Sequence, residues 1–480
     1  MDALNIDKGS GTSIQQQLYD RIRAAIMEGR MQSGERVPST RSLAAQLGVA
    51  RGTIDLTYAR LTGEGYLVAR GQRGTVVSSE LRRTISSAAT APPPGAPAPD
   101  RPPPLPLRLG LPALDLFPRK VWVRLAAREA RKLSMESLAY SYPTGLPILR
   151  EAIVAYLAVA RGIVCRPDQV VVTSGYQGAL NLVAHLLLKP NDRIWLEDPG
   201  YVFAQKAFAS LAMRVVPIPV DGEGLCVADA RDSHESARLA VVTPTHQFPL
   251  GMPMSLPRRQ ALLAWAGACD AWVLEDDYDC EFHYSGHKPP ALKSIDAMDR
   301  VFYAGSFSKT LFPSLRLGYL VLPGAFIDAA EPTCQMLHRG AAGFEQSVAA
   351  AFMTEGYFAR HLRRMRAHYR ARRKALVEEM ERQFGNDVQI SLQAGGLHIL
   401  ARFPNHGPDV ELARQARRHG LTTIPLSGRS LKHSAGQGLL MSFTNIREDE
   451  AADVVASLRK AIKSHDTGRM SRSSSPGLTR

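Results

Sequence analysis

The chain has 480 residues, 45% hydrophobic and 22% charged, which allows two or three folded domains and excludes a chain too polar to fold. A net charge of +14 suits a polyanionic partner without requiring one, and five scattered cysteines with no CxxC pair argue against a disulfide framework or a zinc module. The N-terminus is polar (Asp2, Asp7, Lys8) and no run approaches the roughly eighteen apolar residues of a spanning helix, so a reducing, cytoplasmic setting is expected.

Residues 1–78 read as a small mixed unit. Leu18 to Met27 carries Leu18, Ile22, Ala25 and Ile26 at helical spacing. After a break at Gly34 and Pro38, Ser39 and Thr40 offer N-caps to a short helix with Leu43, Ala44 and Leu47 on one face. Gly48 turns the chain into a second helix, Ala50 to Leu61, with Ile54, Tyr58 and Leu61 inward, a helix-turn-helix pattern. Residues 65–70 and 75–77 then flank Gly71-Gln72-Arg73-Gly74 as two strands and a tip, which is a wing.

In such a head the second helix enters the major groove N-terminus first, which makes Arg51 and Thr53 candidates for base or phosphate contact. Ser39 and Arg41 open the preceding helix and would face the DNA backbone, while Arg73, beside Gly74 on the wing tip, could reach the minor groove. Taken singly these are ordinary solvated groups. The ordered set Pro38-Ser39-Thr40-Arg41, Leu47 to Arg51, Gly65-Tyr66-Leu67 and Gly74-Thr75 is far more specific, and resembles the winged helix of GntR-family transcription regulators over residues 12–78. Ala50 departs from the Ser or Thr usual in that family, and Gly52 and Asp55 leave few base-reading side chains.

Residues 79–106 change character, with Pro92-Pro93-Pro94 and Pro102-Pro103-Pro104, and read as a semi-rigid linker. From 107 to 464, short apolar runs (170–172, 193–196, 240–242, 272–274) alternate with helical stretches, the pattern of an α/β domain with a largely parallel sheet. Residues 465–480 are Ser-, Gly- and Arg-rich and are expected to be a disordered tail.

Four constellations fall where open α/β sheets bind ligands, at strand ends and helix starts. Thr173-Ser174-Gly175-Tyr176 leads into an apolar helix and could offer unpaired N–H groups to a phosphate, or be a plain N-cap. Tyr201, after Pro199-Gly200, could stack on a flat ring or simply fill a turn. Asp276 and Tyr278, in Glu275 to Asp279, could hold a ring nitrogen and a phenolic oxygen; a metal site is disfavoured because His283 and His287 lack ligand spacing. Lys309 lies in Ser306-Phe307-Ser308-Lys309-Thr310, ahead of Arg316, and an aldehyde-holding lysine needs the desolvation that such a strand end supplies.

In this order the four resemble the fold type I aminotransferases that use pyridoxal 5′-phosphate (PLP), with SxSKxxxPxxRxGY from Ser306 to Tyr319 the most specific stretch. The resemblance implies that Lys309 is the Schiff-base lysine, Asp276 holds the pyridine nitrogen and Tyr278 the phenolic oxygen. It also implies that Tyr201 stacks on the ring, and that Ser174, Gly175, Tyr176, Ser306, Ser308 and Arg316 surround the cofactor and its phosphate.

A GntR head, a proline-rich linker and this body resemble the MocR subfamily, as do Tyr140 to Leu146, Pro244 to Pro249 and Glu275 to Phe282. That resemblance implies a regulator that binds operator DNA as a head-to-tail homodimer and answers to PLP or an amine. The alternative is an active aminotransferase with an accessory head; a catalytically dead scaffold is a third reading. Sensing is favoured because Leu440 stands where amino-acid-processing relatives carry an arginine for the α-carboxylate, a contact of about 1.5–3 kcal/mol. The Asn of the usual Asn-Pro-Thr-Gly loop is absent from His246 to Gly251, and Arg429 is a candidate substitute anchor. The run Arg360 to Lys374 has no acid in it and reads as a solvated helix face, or as a second DNA-contacting surface.

Overall fold

The computed structural model describes residues 6–7, 9, 11–71, 74–79, 104–232 and 236–473, the side chains of 232 and 465–473 excepted. The chain divides into two compact units, Met1–Pro102 and Pro103–Arg480.

In the first unit α1 (Ile14–Met27) opens at Ser13, whose hydroxyl accepts from the Gln16 N–H at 3.3 Å. The helix therefore starts before the Leu18 that its apolar spacing marks, because the cap and not the first buried residue sets the end. α2 (Thr40–Leu47) is capped by Ser39 and stops at Gly48 in the left-handed region, φ 60°, which a side chain would strain. α3 (Arg51–Gly63) follows, then β1 (Leu67–Ala69), antiparallel to β2 (Thr75–Val77) with Leu67 opposite Val77. Leu18, Ile22, Leu43, Ile54 and Leu61 form the small core beneath them. The helix-turn-helix and wing expected over residues 12–78 are present. Arg73 lies outside the described residues, as does most of the proline-rich linker.

The second unit is built on an eight-stranded sheet. Its strands are β3 (Val170–Thr173), β4 (Arg193–Asp198), β5 (Arg214–Asp221), β6 (Gly224–Leu225), β7 (Leu239–Val242), β8 (Trp272–Asp276), β9 (Val301–Ser306) and β10 (Gly318–Val321), in the order 3-10-9-8-7-4-5-6. The neighbours from β9 to β5 pair parallel, whereas β10 runs opposite to both β3 and β9. Consequently β3 and β9 run the same way and present their C-terminal ends along one edge. Five of these strands, β3, β6, β7, β8 and β10, are buried along their whole length, as expected for a sheet covered on both faces. On one face α4 (Tyr176–Leu187) packs Leu180 and Val183 against Val171, Leu274 and Leu320.

A smaller lobe follows α5 (Tyr357–Phe384). It holds β11 (Gln389–Ser391), β12 (His398–Arg402), α6 (Asp409–Arg418), β13 (Ile424–Pro425), β14 (Leu439–Ser442) and α7 (Ala451–Ser473), with a four-stranded antiparallel sheet in the order 11-12-14-13.

Two expected boundaries move. The linker was drawn to residue 106, yet Leu105 and Pro106 already accept hydrogen bonds from Asn445 Nδ2 and the Thr422 N–H, and Leu107 is buried. Proline lacks an N–H but keeps its carbonyl, so a Pro-rich segment can still dock through its acceptors. The tail was drawn from 465, whereas α7 continues to Ser473; once a helix is nucleated, each added residue gains a hydrogen bond whatever its composition. Residues 474–480 lie outside the described residues.

Candidate cofactor site and DNA interface

The body's site lies where the C-terminal ends of β3, β8 and β9 meet. Thr173 ends β3, and Gly175 (φ 78°) then starts α4 with no side-chain cap, which leaves the first N–H groups of a twelve-residue helix without intrahelical partners. Arg316 comes alongside: its Nη2 donates to the Ser174 carbonyl at 3.1 Å, and its own backbone is left-handed at φ 53°. Gly318 makes this approach possible, because a Cβ there would lie 2.9 Å from the Gly175 Cα. Ser306 caps the single turn Phe307–Thr310 by accepting from the Ser308 N–H at 3.2 Å. Ser174, Gly175, Ser306, Ser308 and Arg316 thus converge from three strand ends at one positively polarised end of the site.

Lys309 sits on that single turn, half-buried, and its Nζ donates to the Gly110 carbonyl at 2.9 Å. Burial holds the amine below the usual lysine range, opposed by the carboxylates of Asp279 and Asp276. Asp276 ends β8 with its carboxyl buried; burial pushes it well above the usual carboxylate range, opposed by a bond from the Tyr176 hydroxyl. Burial likewise raises Tyr278, whose hydroxyl lies 3.4 Å from His246 Nδ1. The Tyr201 ring lies 5.9 Å from that of Tyr176 at a tilt of 55°. Tyr176, Tyr201, Asp276, Tyr278, Ser306, Ser308, Lys309 and Arg316 line one cavity of about 330 Å³, and Ser174 lies beside it, bonded to Arg316.

Four residues here had no role assigned from the sequence. Gly110 lies 199 residues from Lys309, and a Cβ on it would come within 2.8 Å of Nζ. His246 and Asp279 form a buried pair, Nδ1 to Oδ2 at 3.2 Å, behind Tyr278. Gly396 in the smaller lobe is where a Cβ would strike the His246 ring, so the imidazole is held between the two lobes. The Gly-Gly at 395–396 was the one available signal, since a close backbone approach favours glycine.

In the head, Arg41 and Arg51 are exposed; Arg51 makes an i,i+4 ion pair with Asp55 at 3.4 Å, and Thr53 is half-buried one turn into α3. Ser39 is committed to capping, its hydroxyl accepting from the Ser42 N–H at 3.1 Å. Ala50 caps α3 without a side-chain bond. Gly74 (φ 81°) lies under the Arg36 guanidinium, a wing cation not anticipated from the sequence. Part of the basic stretch of α5 is committed: Arg370 donates to the Tyr284 carbonyl, Arg373 to the Gln393 carbonyl, and Arg372 pairs with Asp115, while Arg360, Arg364 and Lys374 are exposed. Arg363 stays exposed.

Residues 14–77 match the gntR family of bacterial regulatory proteins, and residues 109–435 match aminotransferase class I and II. A probable rhizopine catabolism regulatory protein, MocR, of Rhizobium meliloti is 35% identical over 476 residues, 96% of each chain. The pyridoxine biosynthesis transcriptional regulator PdxR of Corynebacterium glutamicum is 32% identical, covering 94% of this chain and 96% of its own.

The chain belongs to the MocR subfamily of GntR-family regulators.

Its MocR body has the fold type I aminotransferase architecture. A Pyrococcus horikoshii kynurenine aminotransferase, solved with PMP, is 28% identical and superposes with TM-score 0.68 over 81% of this chain and 95% of that one. LysN, an α-aminoadipate aminotransferase of Thermus thermophilus, is 26% identical with TM-score 0.68 over 76% and 93%. This member of the subfamily is a DNA-binding, PLP-dependent transcription regulator. The residues present fit that cofactor: a desolvated amine, an anion cradle at a helix N-terminus and a buried carboxyl lacking a cation all face one cavity. Among the described residues, no helix is long and apolar enough to cross a membrane and no group of His, Cys, Asp and Glu could hold a metal ion.

Proposed function

We propose that this regulator acts in the cytoplasm as a homodimer whose body senses PLP or an amine that reaches it, with no physiological turnover. When bound, PLP supplies an electron-accepting ring and an aldehyde carbon. Lys309 is the residue that would hold the aldehyde, its burial lowering the cost of the uncharged amine that nucleophilic attack needs. Asp276 would hold the ring nitrogen; its carboxyl is costly to ionise alone and would be less so beside a pyridinium. Tyr278 would donate to the phenolic oxygen, and Tyr201 would stack on the ring, with Tyr176 beside it in the lining. Arg316, Ser174, Ser306, Ser308 and the N–H groups at Gly175 and beyond take the phosphate, Arg316 supplying its full charge.

Leu440 carries the sensing reading. It is fully buried on β14, paired with Leu400 and Ile424, in an apolar cluster with Leu426. No carboxylate can be held there, so the usual grip on a turnover substrate is missing. The second reading, an active aminotransferase with an accessory head, is favoured by the complete Lys309, Asp276 and Tyr278 set. Ser39, Arg41, Arg51, Thr53, Gly74 and Arg73 serve the operator contact. The homodimer is supported by an exposed apolar stretch, with Met135 89%, Leu138 71% and Tyr140 83% exposed.

Absorbance spectroscopy with an amino-acid panel tests the proposal. The purified protein should be yellow and Lys309→Ala should lose that band, while incubation with amino acids should release no keto acid on the minute scale. Rapid, repeated keto-acid release would establish the second reading instead.

A further inference from the structure

The cavity around Lys309 has two ends of unlike chemistry. One is the polar cradle of serines and Arg316. The other is walled by Leu109, Phe203, Phe248, Leu397 and Ile424. Leu109 and Ile424 are packed in turn on the buried Leu400, Leu426 and Leu440, so apolar carbon backs this part of the wall. Phe203 projects from the first turn of helix Val202–Ser210 and is 54% exposed, while Phe248 meets the His398 ring edge-on at 5.7 Å.

Two basic side chains face this end, His398 and Arg429. Burial pushes His398 down to about 4, so it is neutral at physiological pH, with Nε2 3.0 Å from the Pro249 carbonyl oxygen. Arg429 is the remaining cation, and its buried Nε makes no hydrogen bond among the described residues. A ligand held here by its amine near Lys309 can match one negative charge at most. A second carboxylate, on the ligand's side chain, would be pressed against apolar carbon without a partner, and burying an unpaired charge is strongly unfavourable. A site of this kind rejects added charge far more strongly than it distinguishes apolar shapes.

We propose that the effector is a primary amine or amino acid with an uncharged, apolar side chain, aromatic or branched aliphatic, carrying no more than one carboxylate. This rests on the reading of Lys309 and the sensing body given above and adds the chemical class sensed.

The test is a titration of the full-length, PLP-loaded protein, following its visible band, with L-phenylalanine, L-leucine, phenethylamine, L-aspartate and L-glutamate. The first three should act at concentrations at least about ten-fold below the last two. Phe203→Ala should weaken L-phenylalanine several-fold relative to its effect on L-leucine; Phe203 is exposed, so folding is not at issue. Acidic amino acids acting as strongly as apolar ones, none of the five acting, or Phe203→Ala changing nothing would each overturn the proposal. Those outcomes on a yellow protein defeat the effector class alone. A protein that takes up no PLP would also defeat the reading of Lys309.

Discussion

At the scale of single residues, burial sets the chemistry. Glu197 ends inside the sheet, where its carboxyl accepts from the Thr243 hydroxyl at 2.5 Å and the Thr243 N–H at 3.2 Å. Burial raises it from 4.5 to about 7 against those bonds. Between those values the folded chain keeps a proton that the unfolded chain has lost. Its contribution is therefore fully present below pH 4.5 and is lost as pH rises through 7, by roughly 3 kcal/mol. Denaturant unfolding of Glu197→Gln across pH 5–8 should show a lower baseline and a flatter pH dependence; an unchanged slope would contradict the assignment. Arg161 makes a second case. Its guanidinium pairs with Asp277 at 2.7 Å with both side chains 1% exposed. Arg161→Met should leave that carboxylate uncompensated and cost about 3–5 kcal/mol in the same measurement. Neither pair was legible in the sequence. A helix arginine and a strand-end glutamate look like solvated charges until the chain is folded.

At the scale of elements, the segments that carry their own signal were the ones read correctly. Ser306 to Tyr319 gathers Lys309 and Arg316 into one short stretch, and the head's turn residues fix its two helices and wing. What could not be read was any contact made across the fold, such as Lys309 with Gly110, or His246 with Asp279 and Gly396, because strand order decides it and adjacency in sequence does not. The α5 arginines show a related limit, since most of the run is a solvated face as expected but three members make contacts that the run does not announce. A run without acids suggested a free charged face, yet Arg370, Arg372 and Arg373 are tied to carbonyls or to Asp115. Within the head, α3 lacks a cap at Ala50. Ala50→Ser should accept an N–H at the helix start and stabilise the head by about 0.5–2 kcal/mol, read as a rise in its melting temperature. The same hydroxyl would add a phosphate partner, so operator affinity should rise with it; a fall in either would contradict the placement of the α3 N-terminus against DNA.

At the scale of the whole molecule, two chemistries share one chain. The head is a GntR DNA-binding unit, and the body is an aminotransferase fold in which Leu440 lies buried among apolar side chains. A ligand alters DNA binding only by the difference in its affinity for two states of the protein, and coupling of about 1–3 kcal/mol corresponds to roughly 5–150-fold in affinity. The most direct test is the affinity of the protein for its own operator, recovered by genome-wide mapping of bound DNA. It should be measured in three forms: PLP-loaded, PLP-free, and PLP-loaded with the amine that perturbs its visible band. The forms should differ by at least about five-fold, and Lys309→Ala should abolish the difference while still binding DNA. Equal affinity in all three forms would contradict the claim that the body is read as a signal.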